Sequence, residues 1–241
     1  MSLPVFISDT VATAGEHVTV TGPEGRHAVT VKRISPGERV MLIDGHGTAR
    51  TCQVTAVSGR DRMDVVVESV EEIPPANPRV TIVQAIPKSE RSELTVDLLT
   101  QAGADRIVAW QSQRTIAKWA GKEEKSLAKW QAAAEAAAKQ SRRATIPEVV
   151  GVVDTAGVDK LITDADLAII LHEEASKPFR ELNFTGDVVV IIGPEGGVSP
   201  EEIHRFTAAG AHTVKLGPEV LRTASAGMVA LAAIGVLSDR W

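Results

Sequence analysis

The sequence predicts a small all-β domain followed by an α/β domain, and three observations carry that expectation. Short strands of apolar and β-branched residues fill the chain up to about Val70, prolines cluster in Pro74-Pro-Ala-Asn-Pro78, and strands alternate with helices beyond Arg79. In the first part the strand-like stretches are residues 17–20, 28–34, 39–43, 49–57 and 63–70. Turn residues separate them, notably Ser35-Pro-Gly37, Asp44-Gly-His-Gly47 and Ser58-Gly59. Close strand spacing with such turns is the pattern of a small barrel or sandwich. Proline fixes φ and removes backbone donors, so the Pro74 to Pro78 stretch reads as an interdomain linker. The expected domains are therefore 1–73 and 79–241.

In the second part, residues 79–86 read as a strand, 89–102 as a helix closed by Gly103, and 106–110 as a strand, which together make a βαβ unit. Residues 123–143 are alanine-rich and helix-favouring up to the break at Pro147. A strand at 167–171 follows, and then Val188-Val-Val-Ile-Ile192, whose five consecutive β-branched residues suit a strand covered on both faces of a parallel sheet. Next come a helix ending near Ala209, a strand at 213–216 and a last helix at 224–237. Ser199, Pro200 and Glu202 have the residue types and spacing of a capping box with proline at the first helical position. The last helix has almost no charge on any face, so it packs either in a core or against another subunit.

Composition narrows the function classes. Apolar residues make up 44% of the 241 positions and charged residues 24%, an ordinary globular balance. No apolar run nears the roughly 20 residues that span a bilayer. Met1-Ser-Leu-Pro-Val lacks the basic and apolar regions of a secretory signal, so a cytoplasmic protein without a membrane partner is expected. The single cysteine, Cys52, excludes an internal disulfide and a multi-cysteine zinc site, and it reads as a small core residue. Net charge is −5, but residues 76–150 carry 12 basic against 8 acidic groups while both flanking regions are acidic. A local basic surface of this kind contacts phosphates; a solvated helix face accounts for the same excess.

The stretch Gly193-Pro-Glu-Gly-Gly197 lies at the carboxyl end of the 188–192 strand, where ligands bind in open α/β sheets. Its three glycines let backbone approach a ligand closely; a tight connection with no ligand uses them equally well. The stretch is neither a dinucleotide fingerprint nor a nucleoside-triphosphate loop. His172-Glu-Glu174 follows the 167–171 strand and is a poor metal set, since its adjacent carboxylates point opposite ways, so no metal is expected. Arg222 precedes the last helix, where it either pairs with an acid or acts on a ligand.

Gly193-Pro-Glu-Gly-Gly197, followed by Leu216-Gly-Pro-Glu-Val-Leu-Arg222-Thr-Ala-Ser-Ala226, resembles the paired signature of the RsmE family. These are S-adenosyl-L-methionine-dependent enzymes that methylate N3 of a uridine in 16S rRNA, within the SPOUT superfamily of knotted methyltransferases. The resemblance implies a PUA-like RNA-binding barrel and a SPOUT domain with a C-terminal trefoil knot. It also implies an antiparallel homodimer and the 30S subunit as partner.

By the same resemblance the cofactor is held by Leu171 and His172, by Gly193, Glu195, Gly196 and Gly197, and by Leu216, Gly217, Leu221 and Thr223. RNA is expected at Lys88 and Arg91, at Arg142 and Arg143, and at Arg33 in the N-terminal domain. Loss of the imide proton of uracil spreads negative charge over two carbonyl oxygens, which a guanidinium stabilises, so Arg222 is the expected electrostatic catalyst. Family members commonly carry an acid where this chain has Ala224. Two alternatives stay open: a ribose 2′-O-methyltransferase of the same superfamily, and a non-catalytic ribosome-assembly factor.

Overall fold

The computed structural model describes residues 3–241. They fall into two compact units, the first comprising the chain up to Pro75 together with Ala138–Ile146, the second Ala76–Ala137 together with Pro147–Trp241.

The first unit is a five-stranded sheet built from β1 (Val5–Ile7), β2 (His17–Val20), β3 (Arg39–Ile43), β4 (Thr48–Ser58) and β5 (Arg62–Glu72), in the order β1-β3-β4-β5-β2. Only β1 and β3 pair in parallel. Two register shifts in the long β4–β5 hairpin, at Thr51/Cys52 and Val54/Ala56, increase its twist and help it curl over a core of Phe6, Val40, Leu42, Met63 and Val65. Cys52 belongs to that core, and burial pushes its thiol up to about 11, which leaves it unreactive at neutral pH.

Two expectations need correction here. Residues 28–34 form no strand: α1 (Gly22–Arg26), with proline in its first turn, runs on into a wider helical turn over His27–Val31. The β-branched residues of that stretch suit a strand locally. Tertiary packing wins, however, because the turn buries Ala28 and Ile34 in the core and leaves Val31 exposed. Residues 138–146 join the first unit, away from the rest of the expected 79–241 domain. Ala144 packs with Val5, Ile43 and Ala49, Lys139 Nζ pairs with Glu24 Oε1 at 2.6 Å, and Thr145 bridges to Gly45 and His46.

The second unit is an α/β fold around a six-stranded sheet. Its elements are β6 (Arg79–Ala85), α2 (Ser92–Gln101), β7 (Arg106–Trp110), α3 (Glu123–Ser141), β8 (Glu148–Val153), α4 (Thr155–Thr163), β9 (Leu167–Leu171), β10 (Asp187–Ile192), α5 (Pro200–Ala208), β11 (His212–Val214) and α6 (Thr223–Leu237). The strand order is β11-β9-β10-β6-β7-β8, and every pairing is parallel. All carboxyl ends therefore lie along one edge of the sheet. β10 sits inside it, and its run Val188 to Ile192 is buried throughout, as a strand covered on both faces requires.

Alternate residues of β10 serve different layers. Val189 and Ile191 join Val83, Val108, Trp110 and Phe206 in one core, while α2 and α6 pack together on the other side, α6 against β6 and β10. β8 and α4 carry weak sequence signals: a glycine splits the apolar run of β8, and the cap of α4, Asp154 accepting from the Gly157 amide at 2.8 Å, sits in a short polar stretch. α6 is buried along one side through Ala226, Ala230, Leu231 and Ile234, yet Met228, Val229 and Val236 on its other side and Leu237 at its last residue are exposed.

The capping box forms as its residue types dictate. The Ser199 hydroxyl accepts from the Glu202 amide, and the Glu202 carboxylate accepts from the Ser199 amide, both at 3.1 Å. Glu202 does more than cap. It is buried, and its Oε1 also accepts from the Gln113 amide at 2.8 Å and from the Thr155 hydroxyl at 2.9 Å, tying the starts of α4 and α5 to the loop after β7. Glu202→Ala strips three donors of their acceptor and is expected to lower stability by about 2–3 kcal/mol. Urea denaturation checks this, with Glu202→Gln retaining part of the loss because it keeps an acceptor oxygen.

Candidate functional site

A cleft of about 1060 Å³ opens along the carboxyl edge of the parallel sheet in the second unit. Its walls are the segments that leave β6, β9, β10 and β11, with Arg114 from the loop after β7 and one side of α5. Clefts outside the carboxyl ends of strands are where α/β sheets bind ligands, because strands end there and connecting backbone is free to face a small molecule.

The glycine-rich turn forms the floor. The Gly197 amide donates to the Pro194 carbonyl at 2.9 Å, and Gly197 adopts φ +72°, a value L side chains rarely take. The turn is braced from two directions. Glu195 Oε1 accepts from the Lys88 amide at 3.1 Å, and the Arg114 guanidinium donates to the Gly196 carbonyl at 3.1 Å. The Thr223 hydroxyl, at the first residue of α6, donates a short hydrogen bond to the Gly193 carbonyl. Gln84, completely buried near the end of β6, donates from Nε2 to Thr223 Oγ1 at 3.1 Å and to the Ala85 carbonyl at 2.9 Å. Turn, strand β6 and the start of α6 are thus fastened at one point.

Ten residues expected at a cofactor site, namely Leu171, His172, Gly193, Glu195, Gly196, Gly197, Leu216, Gly217, Leu221 and Thr223, all line this cleft, and so does Arg222. His172 is held through its amide, which donates to the Val214 carbonyl at 3.0 Å, while its Nδ1 accepts from the Glu174 amide at 3.3 Å. Arg222 caps α6 with its own carbonyl, which accepts from the amides of Ser225 and Ala226 at 2.9 and 3.0 Å. Its side chain makes no capping bond and no ion pair among the described residues, and it is exposed in the cleft. Ala224 is buried just behind it.

The residues expected to meet RNA are divided. Lys88 and Arg91 line the cleft, whereas Arg33, Arg142 and Arg143 belong to the first unit. Arg33 and Arg142 both take positive φ, at 56° and 59°, and Arg142 does so in the left-handed position that ends α3. Among the described residues, no group of three or more His, Cys, Asp and Glu side chains is placed to hold a metal. Two site residues escape sequence reasoning. Gln84 has a signal, a lone amide between the apolar Val83 and Ala85; Arg114 has none, lying in a loop without motif or period.

The family description "RNA methyltransferase domain" matches residues 74–235, and "RNA methyltransferase PUA domain" matches residues 20–68. The chain is 44% identical over 244 residues to ribosomal RNA small subunit methyltransferase E of Mycobacterium tuberculosis, covering 98% of this chain and 93% of that one. The chain belongs to the RsmE family of RNA methyltransferases. The Bacillus subtilis member is 29% identical over 92% of this chain and 90% of its own. Among solved structures, ribosomal RNA small subunit methyltransferase E from Neisseria gonorrhoeae bound to S-adenosyl methionine superposes with a TM-score of 0.87 at 26% identity, covering 98% of both chains. A Legionella pneumophila structure with SAM as bound cofactor gives 0.87 at 29% identity, again covering 98% of both chains. The two-part fold, a PUA-like domain before an α/β methyltransferase domain with a parallel sheet, is that of the RsmE family.

The Thr223 tie is open to test. Thr223→Val keeps the shape but leaves the Gly193 carbonyl and a Gln84 N–H without partners in a buried place, so a loss of about 1–3 kcal/mol is expected in urea denaturation. Thr223→Ser, which keeps the hydroxyl, is expected to recover most of it.

Proposed function

We propose that the protein methylates N3 of a uridine in the 16S rRNA of the 30S subunit, with S-adenosyl-L-methionine as methyl donor. The observation that carries this is the convergence on one cleft of the braced glycine turn, the 216–223 segment and an unpaired Arg222, in a chain whose relatives are named as small-subunit rRNA methyltransferases.

The residues present suit the donor. A Cβ built on Gly196 would meet nothing closer than Arg114 Cβ at 3.5 Å, and one on Gly217 only Glu219 Oε2 at 3.9 Å. Neither glycine takes positive φ. The protein's own packing therefore has room for a side chain at both positions, and a molecule lying against the backbone accounts for their lack of one. Leu171, Leu216 and Leu221 supply apolar wall for a heterocycle, and the backbone of the turn supplies polar groups. Bound there, the donor supplies an electrophilic methyl on a sulfonium.

Arg222 acts on the acceptor. When N3 of uracil loses its proton, charge spreads to O2 and O4, and an unpaired guanidinium at the cleft stabilises that charge most as it develops. A buried Ala224 offers no acid or base behind it. That departure favours one second reading, a factor that binds the donor and the ribosomal particle without turnover.

The finer features of the family belong to the same proposal. The 216–223 segment runs from the β11 edge of the sheet back to Gly193 just after β10, a path that supports threading as a trefoil knot. The exposed Met228, Val229, Val236 and Leu237 on α6 support an antiparallel homodimer through that helix. Lys88 and Arg91, with Arg33, Arg142 and Arg143 of the first unit, bind RNA in this scheme. The site uses no metal, and the enzyme works in the cytoplasm.

Two substitutions separate the roles. Gly196→Val is expected to leave the fold intact and weaken S-adenosylmethionine binding at least about tenfold, read by calorimetry, because its branch projects where the donor lies. Arg222→Ala is expected to lower kcat about 100-fold or more with donor affinity nearly unchanged, since its interaction grows in the transition state. Unchanged affinity in the first would remove the turn from the donor site. Parallel losses of affinity and rate in the second would make Arg222 a binding residue.

A further inference from the structure

The loop after β7 and the first half of α3 carry Arg114, Lys118, Lys122, Lys125 and Lys129 against only two acids, Glu123 and Glu124, in a chain of net charge −5. All five cations are exposed, and none enters an ion pair among the described residues. Lys122, immediately before α3, and Lys125 and Lys129 within it are spaced three and four residues apart, which places them along one side of the helix and its start. Glu124 falls on a different side, and the Glu123 carboxylate is occupied as an acceptor for the Gly121 amide at 3.0 Å. The positive charge is therefore uncompensated along a strip that covers about 10 Å of helix from Lys122 to Lys129.

The strip is anchored to the cleft at two points. At one end Arg114 reaches the Gly196 carbonyl. Further along, the loop is held down where Trp119 packs edge-on against Trp130 with ring centroids 4.9 Å apart, and the Lys122 amide donates to the Trp119 carbonyl at 2.7 Å. The Trp130 indole N–H in turn donates to Ser92 Oγ at 2.7 Å, directly after the cleft residue Arg91. Buried tryptophans thus fix a row of long cationic side chains to the rim of the cleft. Ile116, 69% exposed between Arg114 and Lys118, adds an apolar contact of the kind an unstacked base accepts.

We propose that this strip is a second RNA-binding surface, which holds the phosphate backbone of rRNA beside the target uridine and leads it into the cleft. Its unpaired lysines on a rigid helix suit a polyanion with regular charge spacing, and the overall negative charge of the chain confines RNA attraction to such places. The inference rests on the proposed methyl transfer to RNA.

The test is a full-length triple variant, Lys122→Ala, Lys125→Ala and Lys129→Ala, compared with wild type for binding to 30S subunits and to protein-free 16S RNA across a salt series. All three side chains are exposed, and circular dichroism checks the fold. The expected result is weaker binding to both RNAs, with a log–log salt dependence shallower by about 2, at ~0.7 for each phosphate that is no longer neutralised, and unchanged S-adenosylmethionine affinity. Equal affinity and slope for variant and wild type would overturn the proposal. Weakening seen only with 30S subunits would assign the strip to a ribosomal protein and overturn it as an RNA surface. A wild-type protein that shows the expected binding yet transfers no methyl group would contradict the proposed function while leaving the strip in place.

Discussion

The hydrogen bond from the Thr223 hydroxyl to the Gly193 carbonyl is the constraint on which the second unit's cleft depends. It joins two segments 30 residues apart in sequence and sets the start of α6 against the carboxyl end of β10. Gln84 secures the same hydroxyl from β6, so neighbouring strands and a helix share one buried polar contact. A buried polar group without a partner is costly, and a contact of this kind specifies one arrangement over its neighbours. Beside it Arg222 stands at the cleft without an ion pair among the described residues, Ala224 is buried, and the 216–223 segment walls the site.

A second constraint works from below. Glu202 gathers three donors around one buried carboxylate and so positions the loop after β7, from which Arg114 reaches the glycine turn. The turn is braced from both sides by backbone contacts, with Lys88 on Glu195 and Arg114 on Gly196. Rigid backbone at the carboxyl edge of a parallel sheet is what a site needs if it is to hold a flexible donor in one pose for transfer. Position 224, where family members commonly carry an acid, holds a buried alanine, and the Arg222 side chain enters no ion pair among the described residues.

Legibility in the sequence follows the range of the interactions. Local signals read well: the β-branched run of β10, the Ser199–Glu202 box, and the cluster of glycines that becomes the cleft floor all depend on neighbours a few residues away. Most of the expected cleft residues are legible because they sit in two contiguous motifs, 193–197 and 216–223, with Leu171 and His172 at the end of another strand. The other partners of Glu202, the reach of Arg114 and the burial of Gln84 are not, since each pairs with residues tens of positions distant. The stretch 28–34 misleads because its β-branched residues prefer strands, while the core of the first unit buries Ala28 and Ile34 from it, with Val29 partly buried against them. Residues 138–146 carry no sequence sign that they pack with Val5 and Ile43, because the helix they end is continuous in composition. The proposed knot and homodimer lie beyond periodicity altogether and rest on the family resemblance.

The measurement that bears most directly on this account is transfer of labelled methyl from S-adenosylmethionine to unmodified 30S subunits, followed by nucleoside analysis of the 16S RNA. Label is expected in N3-methyluridine, from which the ribose is released unmodified. Label on a ribose oxygen, or measurable donor binding with no transfer to any RNA, would contradict it.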